Sequence, residues 1–267
     1  MQTVRFGSLD ISRFILGSNP FSGFSHQGPG RDMDMKRFYT VEQIKKTLHD
    51  AQRQGVNTLI ARGDHHVMRM LMEFRDEGGD LQWLCQTCPE LGPPERTIQS
   101  AANMNAAGCY IHGGVMDYLL ANDQVDQVPT LIDQIHDRGM IAGIAGHNPD
   151  VFRWAESVAL PVDFYMCSYY NSASRDKRAE HVAGQTEWFL EEDRAAMVEL
   201  IQSLSKPVIH YKILAAGRND PAEAFAIAAR AMRPTDAVCV GVYTKDKGNM
   251  LAENLQLLDD SLAAAVV

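Results

Sequence analysis

Residues 55 to 66 read GVNTLIARGDHH. Gly55 stops the preceding helix, residues 56–60 have the length and apolarity of a buried strand broken only by Asn57, and Arg62, Gly63, Asp64, His65 and His66 then arrive together. An apolar strand that gives way to polar side chains just before a helix is the unit from which parallel α/β sheets are built. The same pattern returns seven more times. Strands are expected at 14–16, 81–85, 109–111, 140–144, 163–168, 208–211 and 237–242, and helices follow them. Thr40 with Gln43 has capping-box spacing, Asn148-Pro149 is an N-cap and first-turn pair, and Asp220, Pro221 and Glu223 open a later helix. Alternation on both sides of Gly7-Ser8 suggests a short hairpin before the first strand. Eight strand and helix units predict a (β/α)8 TIM barrel with a short N-terminal hairpin, a single domain over residues 1–267. A doubly wound sheet is the competing architecture, but no glycine-rich phosphate fingerprint follows the first strand.

Two stretches are too long for simple connections. Residues 17–40 are rich in Gly, Pro and Ser and contain His26, and a second long loop runs from Tyr169 to Trp188. Long loops in compact domains are usually lids or binding loops.

Composition narrows the partners. A net charge of −9 leaves no basic surface for a phosphate backbone, so nucleic acid is not expected. No run of ~18 apolar residues appears and the first residues lack signal-peptide order, which predicts no membrane association and a cytoplasmic location. A small-molecule substrate is the expected partner, with oligomeric state open and a homo-oligomer among the alternatives. Five cysteines, an odd number, fall mostly in strands and read as buried packing groups; Cys85-Gln-Thr-Cys88 lacks the second pair that zinc binding needs.

From end to end the chain resembles the aldo-keto reductase superfamily. The landmarks are FGSLDISRFILGS in the hairpin and first strand, GVNTL in the second, YIHG at the end of the fourth, and GVYTKDKGNMLAEN in the last strand and helix. The resemblance implies a TIM barrel with a nicotinamide dinucleotide across its mouth, Glu253-Asn254 near the adenine and Lys245 near a phosphate. It carries over only His112 of the catalytic tetrad. Ile60 stands where the family has its aspartate, His65 where it has its proton-donating tyrosine, and Gln86 or Thr87 where it has its lysine. Losing that acid and the groups that lower its pKa argues against carbonyl reduction by the usual route.

Of nine histidines, His65, His66, His112, His147 and His210 fall at or just beyond strand C-termini, and His26 lies in the first long loop. That rim is where barrels build chemistry. The functional reading is a divalent metal (Zn, Mn or Fe) held by His65, His112, His147 and His210 with a carboxylate such as Asp64 or Glu90. The plain reading is that each imidazole fills its own polar hole. His210 and Lys212 lie two apart, so an extended strand would point both the same way, and Lys212 would then serve as base, Schiff-base nucleophile or anchor. His65, His112 and Asp64 are its candidate partners in proton exchange. Arg62 and Arg175, with Lys177 and Arg178, suit a carboxylate or phosphate on the substrate; His26, Tyr169, Tyr170 and Asn171 are further candidates for substrate contact. The sequence therefore predicts a metal-assisted lyase, isomerase or hydrolase acting on a small polyhydroxylated or keto-acid substrate. An NADP-dependent oxidoreductase with an altered tetrad and a non-catalytic binding barrel are the alternatives.

Overall fold

The computed structural model describes residues 1–180 and 187–265. A two-stranded antiparallel hairpin, β1 (Thr3–Phe6) and β2 (Leu9–Ser12), precedes eight parallel strands. These are β3 (Phe14–Gly17), β4 (Thr58–Arg62), β5 (Gln82–Gln86), β6 (Gly108–Ile111), β7 (Ile141–Gly146), β8 (Phe164–Ser168), β9 (Val208–Tyr211) and β10 (Ala237–Gly241). They pair in chain order and β10 closes on β3, completing the barrel. This is the expected (β/α)8 architecture. The helices include α1 (Pro29–Phe38), α2 (Val41–Arg53), α3 (His65–Asp76), α4 (Pro94–Asn103), α5 (Gly113–Ala121), α6 (Val128–His136), α7 (Pro149–Ser157), α8 (Glu191–Ile201), α9 (Pro221–Ala231) and α10 (Met250–Ala265).

Three local expectations change. The stretch at 17–40 is not structureless, because Pro29 opens α1 within it. A further helix, α5, follows His112 directly, started by Gly113-Gly114 rather than by any polar cap. The strand expected at 56–60 is displaced to Thr58–Arg62, because Asn57 is used elsewhere. Its side chain accepts from Ser12 N at 2.7 Å and donates to Asp10 O at 2.9 Å, tying the hairpin to the barrel. The caps fall as the spacing predicts, with the Thr40 hydroxyl accepting from Gln43 N and the Asn148 carbonyl from Asp150 N.

Two apolar layers follow from strand alternation. Ile15, Ile60, Leu84, Tyr110, Ile141, Ala145, Phe164, Met166, Ile209, Ala237 and Cys239 fill the barrel interior, while the alternate residues face the helices. Phe6 and Ile11, both fully buried, join the interior cluster from the hairpin. Burying each such large side chain is worth about 1.5–3 kcal/mol. Gly7, at φ +52°, turns the hairpin where a Cβ would lie 2.7 Å from Asp163 Oδ1. All five cysteines are buried and unpaired, as the packing reading requires.

Candidate active site

The alternation that fills the interior also decides which polar groups reach the mouth. Continuing each inward set past the strand end gives Arg62 after Ile60, Gln86 after Leu84, His112 after Tyr110, His147 after Ala145 and Tyr211 after Ile209. All five line one cavity of about 140 Å³, together with His26, Arg175 and Lys212 among others.

At its centre His147 sits between a carboxylate and a phenol. Asp117, in the middle of α5, accepts from His147 Nδ1 at 2.7 Å through Oδ2, and through Oδ1 it accepts from the backbone N–H of His147 and of Asn148 at 3.0 and 3.1 Å. Those bonds fix the tautomer: Nδ1 carries the proton and Nε2 is left as the basic nitrogen. Nε2 lies 3.3 Å from the Tyr211 hydroxyl. Burial lowers the His147 pKa, the positive charge of Lys212 lowers it further, and Asp117 opposes both. The imidazole is therefore neutral near pH 7 and able to accept a proton. Gly113 lets these groups meet, since a Cβ there would lie 3.0 Å from His147 Cε1 and 3.1 Å from the Tyr211 oxygen.

Lys212 enters from the next position along β9. Its backbone is left-handed at φ +60°, a conformation that costs a non-glycine residue of order 1–3 kcal/mol and persists only where the surroundings impose it. The turn breaks strand alternation and brings the side chain into the cavity, where Nζ donates to Ser172 Oγ at 3.1 Å. Among the described residues Lys212 belongs to no ion pair, although its side chain is largely withdrawn from solvent. Burial pushes its pKa down to about 8, Glu187 opposing, Arg175 assisting and Asp117 opposing. Arg175, 8% exposed, donates through one guanidinium nitrogen to Glu180 O and lines the same cavity. His112 lines the same cavity with Nδ1 buried and unpartnered among the described residues; burial and the nearby His147, Arg175, Arg62 and Lys212 hold it well below the usual histidine range, hence neutral.

The rim is cross-braced. Arg62 bonds Asp64 at 3.0 Å, pairs with Glu90 and stacks over Phe24 at 4.8 Å. His26, itself left-handed at φ +56°, meets Glu187 at 2.8 Å.

Several expected groups do not arrive. His65 opens α3 and is exposed, as is its neighbour His66, while Asp64 caps that helix by accepting from Val67 N and holds Arg62. His210 faces outward, as Val208 does, and is fully buried between Asp236 and Tyr169. The expectation that His210 and Lys212 share a direction fails because the left-handed residue lies between strand and loop. Tyr169 bonds His210, Tyr170 accepts from Asn219 and packs edge-on against Phe189, and exposed Asn171 donates its amide to Asp193; none lines the cavity. Lys177 and Arg178 are exposed, and His181 lies outside the described residues.

Of the four imidazoles expected to share a metal, only His112 and His147 reach the same cavity. Among the described residues no group of three or more His, Cys, Asp or Glu is arranged to hold an ion. Among the described residues the donor set therefore does not fit a resident metal centre. The nucleotide region implied by the resemblance is likewise internally satisfied in its cations: Lys245 pairs with Asp34 and Lys247 with Glu253.

Sequence reasoning missed Asp117, Tyr211 and Glu187. A lone carboxylate inside GGVMDYLLA, a segment otherwise apolar, was the available signal for Asp117. Tyr211 shares the inward face of Ile209, but in a strand buried on both sides the sequence does not mark which face that is. Nothing in the sequence marks Glu187.

No family model and no curated protein matches this chain. Solved structures do. A Pseudomonas aeruginosa protein provisionally assigned as an aldo-keto reductase superposes with a TM-score of 0.64 at 15% identity, covering 97% of this chain and 96% of its own. The likeness is one of fold. The apo form of Gox0644 gives a TM-score of 0.60 at 10% identity over 99% and 92% of the two chains. The N-acetylmannosamine-6-phosphate 2-epimerase of Clostridium perfringens gives 0.55 at 13% identity over 90% and 92%. The barrel fold expected from the sequence is thus shared with these solved structures. Among the described residues no helix is long and apolar enough to cross a membrane.

Proposed function

We propose that this barrel is a lyase or isomerase that moves protons at carbon on a small, oxygenated, anionic substrate. The observation that carries this reading is the buried Asp117–His147–Tyr211 chain facing Lys212 inside a cavity that also holds Arg175. Each group has a defined task. Arg175, with Arg62 at the rim, offers a planar donor set for a carboxylate. His147 takes or returns a proton at Nε2, with Asp117 fixing its ring and stabilising the imidazolium that forms, an arrangement familiar from acid and base catalysis. Tyr211 relays the proton or donates to a developing oxyanion. Lys212, near neutrality in its titration, supplies positive charge or a basic amine. The small cavity volume favours substrates of a few carbons, consistent with a keto acid or short polyhydroxylated acid.

The test is solvent deuterium exchange. Incubating the protein in D2O with pyruvate, 2-oxobutyrate and short hydroxy-carbonyl acids, and following the α-carbon protons by NMR, should show exchange above the buffer rate. Exchange should fall to background in His147→Asn. No exchange with any of these compounds would overturn the reading.

A further inference from the structure

Lys212 combines four properties that an anchoring lysine does not need. It lines the cavity, it is held by a hydroxyl rather than by a carboxylate, its backbone is forced left-handed to bring it there, and Arg175 already supplies a fixed positive charge beside it. An anchor for an anion gains from being fully protonated and is usually balanced by a carboxylate at rest. A nucleophile needs a neutral amine pointed at the substrate with proton donors close by. The surroundings of Lys212 match the second description. Burial and Arg175 outweigh Glu187 and Asp117, so at pH 7.5 the neutral fraction is about two hundredfold larger than for a lysine titrating at 10.5.

We infer that Lys212 forms a Schiff base with the ketone or aldehyde carbonyl of a substrate that also carries a carboxylate. The inference rests on the proton-transfer reading above and adds to it a covalent step and a substrate class, the 2-oxo acids and their hydroxylated relatives. The Nζ lone pair adds to the carbonyl carbon while the π electrons move to oxygen, which takes a proton from the Tyr211 hydroxyl or a protonated His147. The nitrogen, cationic after addition, returns one of its two protons to the group that protonated the oxygen; the neutral carbinolamine then loses its hydroxyl with one proton from solvent as water, and the freed nitrogen lone pair closes the C=N bond of a protonated imine. The imine draws electrons from the adjacent carbon, so His147 Nε2 can remove the α-proton to leave an enamine. Reprotonation of that carbon gives exchange or isomerisation, and bond cleavage one carbon further on gives lyase chemistry. Water then adds back to the imine and releases the amine, so no oxidant or reductant is consumed. Arg175 holds the carboxylate throughout.

Borohydride decides the matter, because it delivers hydride to an imine carbon and converts the linkage into a stable secondary amine. Protein treated with borohydride in the presence of pyruvate or 2-oxobutyrate should gain the mass of the keto acid less one oxygen, and peptide mapping should place the adduct on Lys212. Lys212→Met and Lys212→Arg should show none at that position, and dihydroxyacetone, which lacks the carboxylate, should label at least several-fold less. Both variants should keep the wild-type circular dichroism spectrum, so that a missing adduct reports on the amine and not on unfolding. Absence of an adduct, an adduct spread evenly over surface lysines, or equal labelling by dihydroxyacetone would overturn the inference. If labelling fails while α-proton exchange persists and is lost in Lys212→Met, the covalent step falls and the acid and base reading stands. If both labelling and exchange fail, both fall.

Discussion

Two clusters of the same three residue types lie on opposite sides of one barrel wall. In the mouth, Asp117, His147 and Tyr211 place the imidazole and phenol centroids 5.8 Å apart at 66°. Behind the wall, Asp236, His210 and Tyr169 place theirs 5.7 Å apart at 69°. His210 and Tyr211 are neighbours on β9, so strand alternation alone sends one to each cluster. The wiring is reversed: Asp117 takes Nδ1 of its histidine, whereas Asp236 faces Nε2 at 3.3 Å and Tyr169 meets Nδ1 at 3.0 Å. Surroundings differ more. Asp236 also accepts from two guanidinium nitrogens and the backbone N–H of Arg233 and from Val208 N, so the outer cluster is closed to water and fully bonded. The inner one opens on a cavity. Identical chemistry thus becomes a structural staple or a candidate catalyst according to what the last hydrogen-bonding site faces.

The comparison predicts that inner substitutions strike turnover and outer ones strike stability. The largest effect is expected for His147→Asn, which removes the basic nitrogen and should lower the exchange rate by roughly 10²- to 10⁴-fold, read by NMR, with little change in melting temperature. Asp236→Ala should cost about 3–5 kcal/mol of unfolding free energy, measured by urea titration, because it strands Arg233 and a buried imidazole. The pH dependence has a definite sign. Burial alone would raise Asp236, but bonds from His210 and Arg233 outweigh it and hold the carboxyl well below its usual range, so its contribution is present above about pH 4 and lost on further acidification. His210, lowered chiefly by burial, adds to the loss as pH falls below about 6.5, and a wild-type denaturation series from pH 8 to pH 3 should fall through both windows.

A smaller effect sharpens the contrast between the phenols. Tyr169→Phe leaves His210 Nδ1 buried without a donor and should cost about 1–3 kcal/mol in calorimetry, whereas Tyr211→Phe leaves a nitrogen that cavity water can serve and should cost stability almost nothing. Smallest is the effect of Arg175→Gln on the acid limb of the exchange profile. Activity that needs neutral Lys212 should rise with pH through about 8, and removing the neighbouring cation should move that limb to higher pH.

The barrel was legible because it is specified many times over: eight apolar runs, each bounded by helix caps such as Thr40, Asn148 and Asp220, repeat one instruction. The site is specified once. Strands buried on both faces read as near-continuous apolar runs without alternation, so what separates Tyr211 from His210 leaves no mark in VIHY, and the sequence does not say which residue faces the mouth. Two-residue spacing would place Lys212 on the outward side with His210, and only its left-handed backbone carries it inward. His65 has rim position without rim orientation: it is the first residue of a helix and is exposed to solvent. Asp117 was hidden by a helix that lacks a polar start signal, its first turn being two glycines.

The N-terminal hairpin has a bearing on turnover. With Phe6 and Ile11 seated under the barrel interior and Asn57 fastening them, the lower opening is corked. Traffic is consequently one-ended: an arriving molecule must use the doorway by which the departing one leaves, so product should compete directly with substrate, and anything that crowds the upper rim should slow entry and exit alike.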